Sequence, residues 1–280
     1  VVPAHHAGGD GVSVPPALAH GGPHPELPDG WIAVALGLAV VAAYEAGAWR
    51  LRRRGDRWPP ARDAGFGLGT AAAVAALTLP DDSGFTGHML QHVLLGMLAP
   101  VLLVLGRPVT LLLRASPSGV RRRLVPVLGS APVGVLVFPP FAAALEAGSL
   151  WLLHRTGLFA ASGRDPGLHL LVHAHVFVTG VLFTTSVCLL EPVRHRYGFG
   201  VRVAALVGAA AAHAVLAKSL YLTAPPGTAF DVADRQAGAE LMYYGGDVVE
   251  LALALIVALG WYAARGRAEA HARRRAGSAA

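Results

Sequence analysis

Charge is what this 280-residue chain has least of: Asp, Glu, Lys and Arg make up 14% of it, against about 25% in soluble domains. With 54% hydrophobic residues and a mean hydropathy of +0.51, that shortage excludes both an ordinary cytosolic enzyme and intrinsic disorder. One cysteine, Cys188, excludes an intrachain disulfide and any CxxC thiolate pair. Lysine occurs once, as Lys218, and methionine three times, as Met89, Met97 and Met242. No Walker loop, GxSxG elbow, HExxH helix or dinucleotide fingerprint is present. No nucleophile–base pair is evident either, so the chain is not expected to be an enzyme. It begins Val1-Val2 without a basic n-region, and no uncleaved signal peptide is expected.

What is present is a series of long uncharged runs, each near the roughly 20 residues that a helix needs to cross a bilayer. Seven crossings are expected, at 31–49, 64–80, 88–106, 132–153, 168–190, 201–222 and 240–263. The fold class is therefore all-α, a polytopic membrane helix bundle with the lipid bilayer as its surroundings. Nineteen of the 23 basic residues fall on alternate connections, in the loops after the first, third and fifth crossings and in the tail. The positive-inside rule then places the N-terminus outside and the C-terminus in the cytoplasm. The net charge of +6 serves topology, and no nucleic-acid partner is expected. Residues 1–30 read as an extracytoplasmic segment rich in His, Gly and Pro, 31–264 as the seven-helix domain, and 265–280 as a basic tail. Pro100 and Pro139-Pro140 should kink or interrupt their crossings. Val109–Leu113 is too short to cross again and should lie at the interface. Glu45 and Glu191 are placed to partner arginines at the inner interface.

The chemistry should lie in ionisable residues inside the crossings, because burying them in a bilayer is costly without a partner or a function. His88 and His92 are four apart, so they share one helix face. His169 and His173 form a second such pair, and His175 points roughly 160° away from His173. His154, His213 and Asp247 fall at similar depth on three more crossings, with Glu146, Glu240 and Glu250 also buried in the sequence pattern. Of 13 histidines, only His195 and His271 fall on the cytoplasmic side. Two same-face pairs at one depth supply four imidazoles, a donor set that suits copper, zinc or iron. Asp247 and Glu146 are candidate further ligands or ring-orienting acceptors. Met89 joins the list because thioether suits Cu(I). The competing reading makes the histidines hydrogen-bonding glue between helices. Lys218 should either snorkel outward or pair with Asp247. Cys188, away from this cluster, should be inert.

The run His88-Met89-Leu90-Gln91-His92, continuing through Ala99-Pro100 to Leu105-Gly106-Arg107-Pro108-Val109-Thr110, resembles the signature of the CtaG-type cytochrome c oxidase assembly proteins. The stretch from His169 through His173-Ala174-His175 to Gly180 and Phe183 is similar to that family's second histidine motif. Asp234-Arg235-Gln236-Ala237-Gly238, leading to Met242-Tyr243, is similar to its stretch before the last helix, with Arg235 where Gln is common and Tyr243 where Trp is common. The resemblance covers the first crossing to the seventh. It implies a cell-membrane factor of bacterial respiratory-chain biogenesis, partnered by cytochrome c oxidase subunits, that holds copper and delivers it for oxidase metallation. It carries His88, His92, His169 and His173, with His175 and Asp234, as candidate functional residues. Spacing alone accepts zinc as readily as copper. Two other classes remain open at this point: a membrane oxidoreductase with b-type heme on transmembrane histidines, and a metal-free scaffold for oxidase subunits.

Overall fold

The computed structural model describes residues 29–80, 84–192 and 196–277. Most of the histidine-bearing segment 1–30, together with Arg194 and His195, lies outside the described residues. Among those described there are twelve α-helices and no strand. In chain order they are α1 (Asp29–Arg53), α2 (Pro60–Leu77), α3 (Gly84–His92), α4 (Ala99–Leu105), α5 (Pro108–Ala115) and α6 (Ser118–Leu128). Then follow α7 (Ala131–Leu136), α8 (Pro139–Arg155), α9 (Leu158–Ser162), α10 (Pro166–Cys188), α11 (Phe199–Leu222) and α12 (Val232–Gly277). A π-helical segment, Val93–Leu98, joins α3 to α4. Proline opens α2, α5, α8 and α10, where its missing N–H has no helical partner to lose.

The protein is a membrane protein by the length and apolarity of five helical stretches: Gly30–Arg53, Gly84–Ala115, Pro166–Cys188, Phe199–Leu222 and Val232–Arg275. The two other expected crossings are shorter or less apolar. One is α2, where Arg62, Asp63, three glycines and a threonine dilute the alanine run. The other is divided by the break at Val137–Phe138 into α7 and the 17-residue α8, with Pro139 starting the second piece. Val109–Leu113 forms most of α5, which packs on α1 by placing Leu111 against Gly47 and the cluster of Tyr44, Leu51, Trp58 and Phe66. Instead of ending near 263, α12 continues through the arginine-rich tail. Its Ala, Glu and Arg are good helix formers, and Arg265 pairs with Glu269 one turn on, at 3.6 Å.

Two apolar clusters stack along the bundle. One joins Val101, Phe183, Leu206, Val249 and Leu253; the other joins Phe85, Met89, Leu216, Leu220 and Met242. The helices meet closely where small residues allow it. Pro100 gives no N–H to the Gly96 carbonyl, and the chain widens there so that Ala99 N donates to Leu94 O, the i→i+5 pattern of a π-bulge. Gly180 of α10 lies directly against that freed Gly96 carbonyl and against Pro100.

Helix ends are sealed by charged side chains from elsewhere in the chain. The Asp234 carboxylate accepts from Phe85 N (2.7 Å) and Thr86 N (3.1 Å) at the start of α3, and Thr86 Oγ1 donates back to Asp234 O. The next residue, Arg235, donates to Leu220 O at 2.7 Å and to Tyr221 O at the end of α11. At the other end of the bundle Glu191 accepts from Val109 N, Thr110 N and Thr110 Oγ1, capping α5. Glu191 therefore serves a helix N-terminus rather than an arginine, since four orphan N–H groups there attract a carboxylate. Arg202 donates to Val187 O at the end of α10.

Candidate functional site

The start of α3 meets the start of α10 and the ends of α8 and α11, because α3 and α10 run opposite to α8 and α11. That arrangement brings histidines from four helices together. His88 has its ring centroid 5.7 Å from that of His154 and 6.4 Å from that of His173. His92 lies 5.8 Å from His213, and His169 lies 4.2 Å from His173 with its ring tilted by 38°. His154 is fully buried. All of these rings except His169 line two adjoining chambers. The smaller, about 20 Å³, is lined by His88, Gln91, His92, His154 and His173. The larger, about 40 Å³, is lined by His92, Glu146, Thr179, His213 and Glu250, with Phe183, Leu206 and Val249 as apolar wall. His92 borders both.

Hydrogen bonds select the tautomers. His154 Nδ1 lies 3.0 Å from Leu150 O and His173 Nδ1 lies 3.0 Å from His169 O. A carbonyl only accepts, so each Nδ1 carries the proton and each Nε2 presents a lone pair. His213 Nδ1 is 3.3 Å from Glu250 Oε1 across α11 and α12, the carboxylate–imidazole pairing that orients ligand rings. His92 Nε2, His154 Nε2, His213 Nε2 and Glu146 Oε2 are buried with no hydrogen-bond partner. Among the described residues, no three His, Cys, Asp or Glu side chains stand together as a group that could hold a metal ion.

The remaining candidates are placed elsewhere. His175 is exposed on α10, two residues on from His173 and on the opposite side of the helix. Asp247 is half-buried and lines neither chamber; Glu250, three residues further along α12, takes the place beside His213. Sequence reading noted Glu250 without selecting it, since both carboxylates lie on one helix and only the rotation of α12 separates them. Met89 is fully buried in the apolar cluster with Phe85 and Met242. Lys218 is exposed, with Nζ 5.2 Å from the centre of the Tyr243 ring. Cys188 is buried, is not in a disulfide and packs in the cluster with Phe183 and Val187.

The seat of His213 depends on Gly246. A Cβ there would overlap the imidazole and lie 2.7 Å from its Nδ1. Gly246→Ala is expected to drive the ring off Glu250 and to destabilise the protein by about 1–3 kcal/mol, the range of overpacking. Thermal unfolding of the variant in detergent checks it; a midpoint equal to wild type would contradict the tight seat.

Residues 42–264 match the family model described as cytochrome c oxidase caa3 assembly factor (Caa3_CtaG). Among curated proteins, the uncharacterized protein Mb0105 of Mycobacterium bovis and the uncharacterized protein MT0111 of Mycobacterium tuberculosis are each 33% identical over 191 residues. Those alignments cover 64% of this chain and 29% of each relative. The uncharacterized protein ML1998 of Mycobacterium leprae is 30% identical over 196 residues, 66% of this chain and 29% of its own length. The chain thus spans under a third of the curated relatives it matches. No solved structure matches it.

Proposed function

The chain belongs to the cytochrome c oxidase caa3 assembly factor family, and on that premise we propose that it binds copper through the clustered histidines and delivers it to an oxidase subunit in a bacterial cell membrane. The bundle crosses seven times, α2 and the α7–α8 pair completing the five longer stretches, with the N-terminus outside. The arginines support this orientation: they gather in the loops from Arg50 to Arg62 and from Arg107 to Arg123 and in the tail of α12, which are alternate connections along the chain. The histidine chambers then open toward the extracytoplasmic half.

The observation that carries the reading is how the rings use their hydrogen bonds. His154 and His173 bond carbonyls four residues back on their own helices, so they do not act as glue between helices. That leaves the His154 Nε2 lone pair buried and unsatisfied at the chamber. Such a nitrogen is a ready ligand, and imidazole suits copper. Two imidazoles on one tetrahedral ion, with metal–nitrogen distances of about 2.0–2.1 Å, hold their ring centroids about 5 Å apart. The observed 5.7 and 6.4 Å about His88 are longer, so side-chain rotamer shifts must draw the rings together around an ion. Chambers of about 40 and 20 Å³ suit an ion and not a porphyrin, so the optical spectrum should lack a Soret band.

The protein purified and loaded with copper should retain about one or two ions, as an imidazole site of this size allows. His92→Ala combined with His173→Ala should abolish that retention, as measured by elemental analysis. Wild-type protein that repeatedly emerges metal-free after loading would remove the copper reading.

A further inference from the structure

Five buried side-chain nitrogen or oxygen atoms lack a hydrogen-bond partner among the described residues, and three of them line the larger chamber: His92 Nε2, His213 Nε2 and Glu146 Oε2. An unpaired buried polar atom costs about 1–3 kcal/mol. Three such atoms from α3, α8 and α11, facing one space in an otherwise apolar bundle, call for an occupant. The volume of about 40 Å³ exceeds the roughly 10–15 Å³ that one water needs. Two carboxylates stand on the walls, Glu146 and Glu250, and a carboxylate inside a membrane bundle needs a positive partner. No lysine or arginine lines this chamber. Glu250 already holds His213 by Nδ1, which turns the Nε2 lone pair inward.

We propose that the larger chamber is a second cation station, one that takes a divalent ion of borderline softness through His92 Nε2, His213 Nε2 and the Glu146 carboxylate, with Glu250 orienting His213. The inference rests on the copper reading for the smaller chamber and extends it inward. The smaller chamber offers imidazole, a donor for copper; the larger adds carboxylate, which favours harder divalent ions. His92 borders both chambers, so the ion passes from one to the other by exchanging partners around that ring. As they stand the three side chains do not form a group that holds an ion, so binding must draw them in: His92 and His213 are 5.8 Å apart by centroid, and a shared ion brings them about 1 Å closer.

The test is titration of the full chain, purified in detergent and stripped with chelator, with Co²⁺, whose visible absorption reports its ligands. Wild type is expected to bind two equivalents. Glu146→Gln should remove one of them and leave the other sensitive to His88→Ala combined with His173→Ala. Glu250→Gln, nearly isosteric and still able to accept from His213, should weaken the same inner equivalent by about 10–100-fold. Two undiminished equivalents in Glu146→Gln, or a single equivalent that both sets of substitutions remove, overturn the inner station. A protein that retains copper but takes no Co²⁺ also overturns it, while leaving the copper reading of the smaller chamber in place. Loss confined to Glu146→Gln, with copper retained in the His88/His173 double variant, supports the inner station and removes the outer reading instead.

Discussion

Gly180→Ala should be among the most damaging single methyl groups that can be added to this protein. The new Cβ would overlap the Gly96 carbonyl oxygen and stand 2.9 Å from Pro100 Cγ. Neither neighbour can rotate away, because one is backbone and the other a ring locked to it. Pro100 withholds the N–H that the Gly96 carbonyl would receive in a regular helix, the π-bulge at Val93–Leu98 exposes that carbonyl, and Gly180 alone lets α10 settle on it. One Cα hydrogen of Gly180 then faces the oxygen, a weak but recurrent contact between membrane helices. Relief of the clash requires α10 to move off the π-helical segment and α4. The expected loss lies at or beyond the upper end of the about 1–3 kcal/mol typical of overpacking. Because His173 sits two turns earlier on α10, the same displacement should widen the His88–His173 spacing and weaken copper retention. Gly148→Ala and Gly208→Ala are the matched controls: both positions are helical and have no neighbour within 4 Å of the added Cβ. Each should leave the unfolding midpoint unchanged or raise it, since Ala exceeds Gly in helix propensity by about 0.5–1 kcal/mol. Equal midpoints for Gly180→Ala and these controls would defeat the account of the crossing.

Asp234→Ala should have the next largest effect. The carboxylate receives two backbone N–H groups at the start of α3 from 148 and 149 residues away in sequence, and α3 opens at Gly84 with φ +69°. Removing it leaves two orphan donors at a helix N-terminus, each worth about 1 kcal/mol by analogy with lost N-caps, and removes the charge that complements the helix dipole. A loss of about 2–3 kcal/mol follows. Asp234→Asn keeps an acceptor and should recover part of it. His88 follows directly on the first turn of α3, so fraying there should lower copper retention along with stability. Normal copper content in a fully stable Asp234→Ala protein would show that the clamp is dispensable. This clamp also explains why Asp234 and Arg235 sit side by side: one seals the beginning of α3 while the other seals the end of α11. The resemblance marked Asp234 as a functional residue, and its geometry makes it a positioning residue for the histidine helix.

Much of the site was legible before any coordinates. Same-face spacing of His88 with His92 and of His169 with His173 follows from 3.6 residues per turn, and both pairs do meet across α3 and α10 through His88 and His173. The same arithmetic turned His175 away from His173, and it is exposed. His154 and His213 were legible as residues at the right depth, although nothing in their spacing says which ring each approaches. Glu250 in preference to Asp247, the division of the rings between two chambers, and the trans-capping by Asp234, Arg235 and Glu191 had no local signal at all.

The order of apolar runs, the arginine asymmetry and helical periodicity are properties of neighbouring residues, so they can be read along the chain; membrane character, helical class and the two histidine faces follow from them. Which faces touch is set by rotation and closeness of helices, and those depend on distant partners. The proline-induced bulge that receives Gly180, the glycine that seats His213 and the carboxylate that starts α3 each join segments more than 30 residues apart, where pairwise packing alone selects the neighbour.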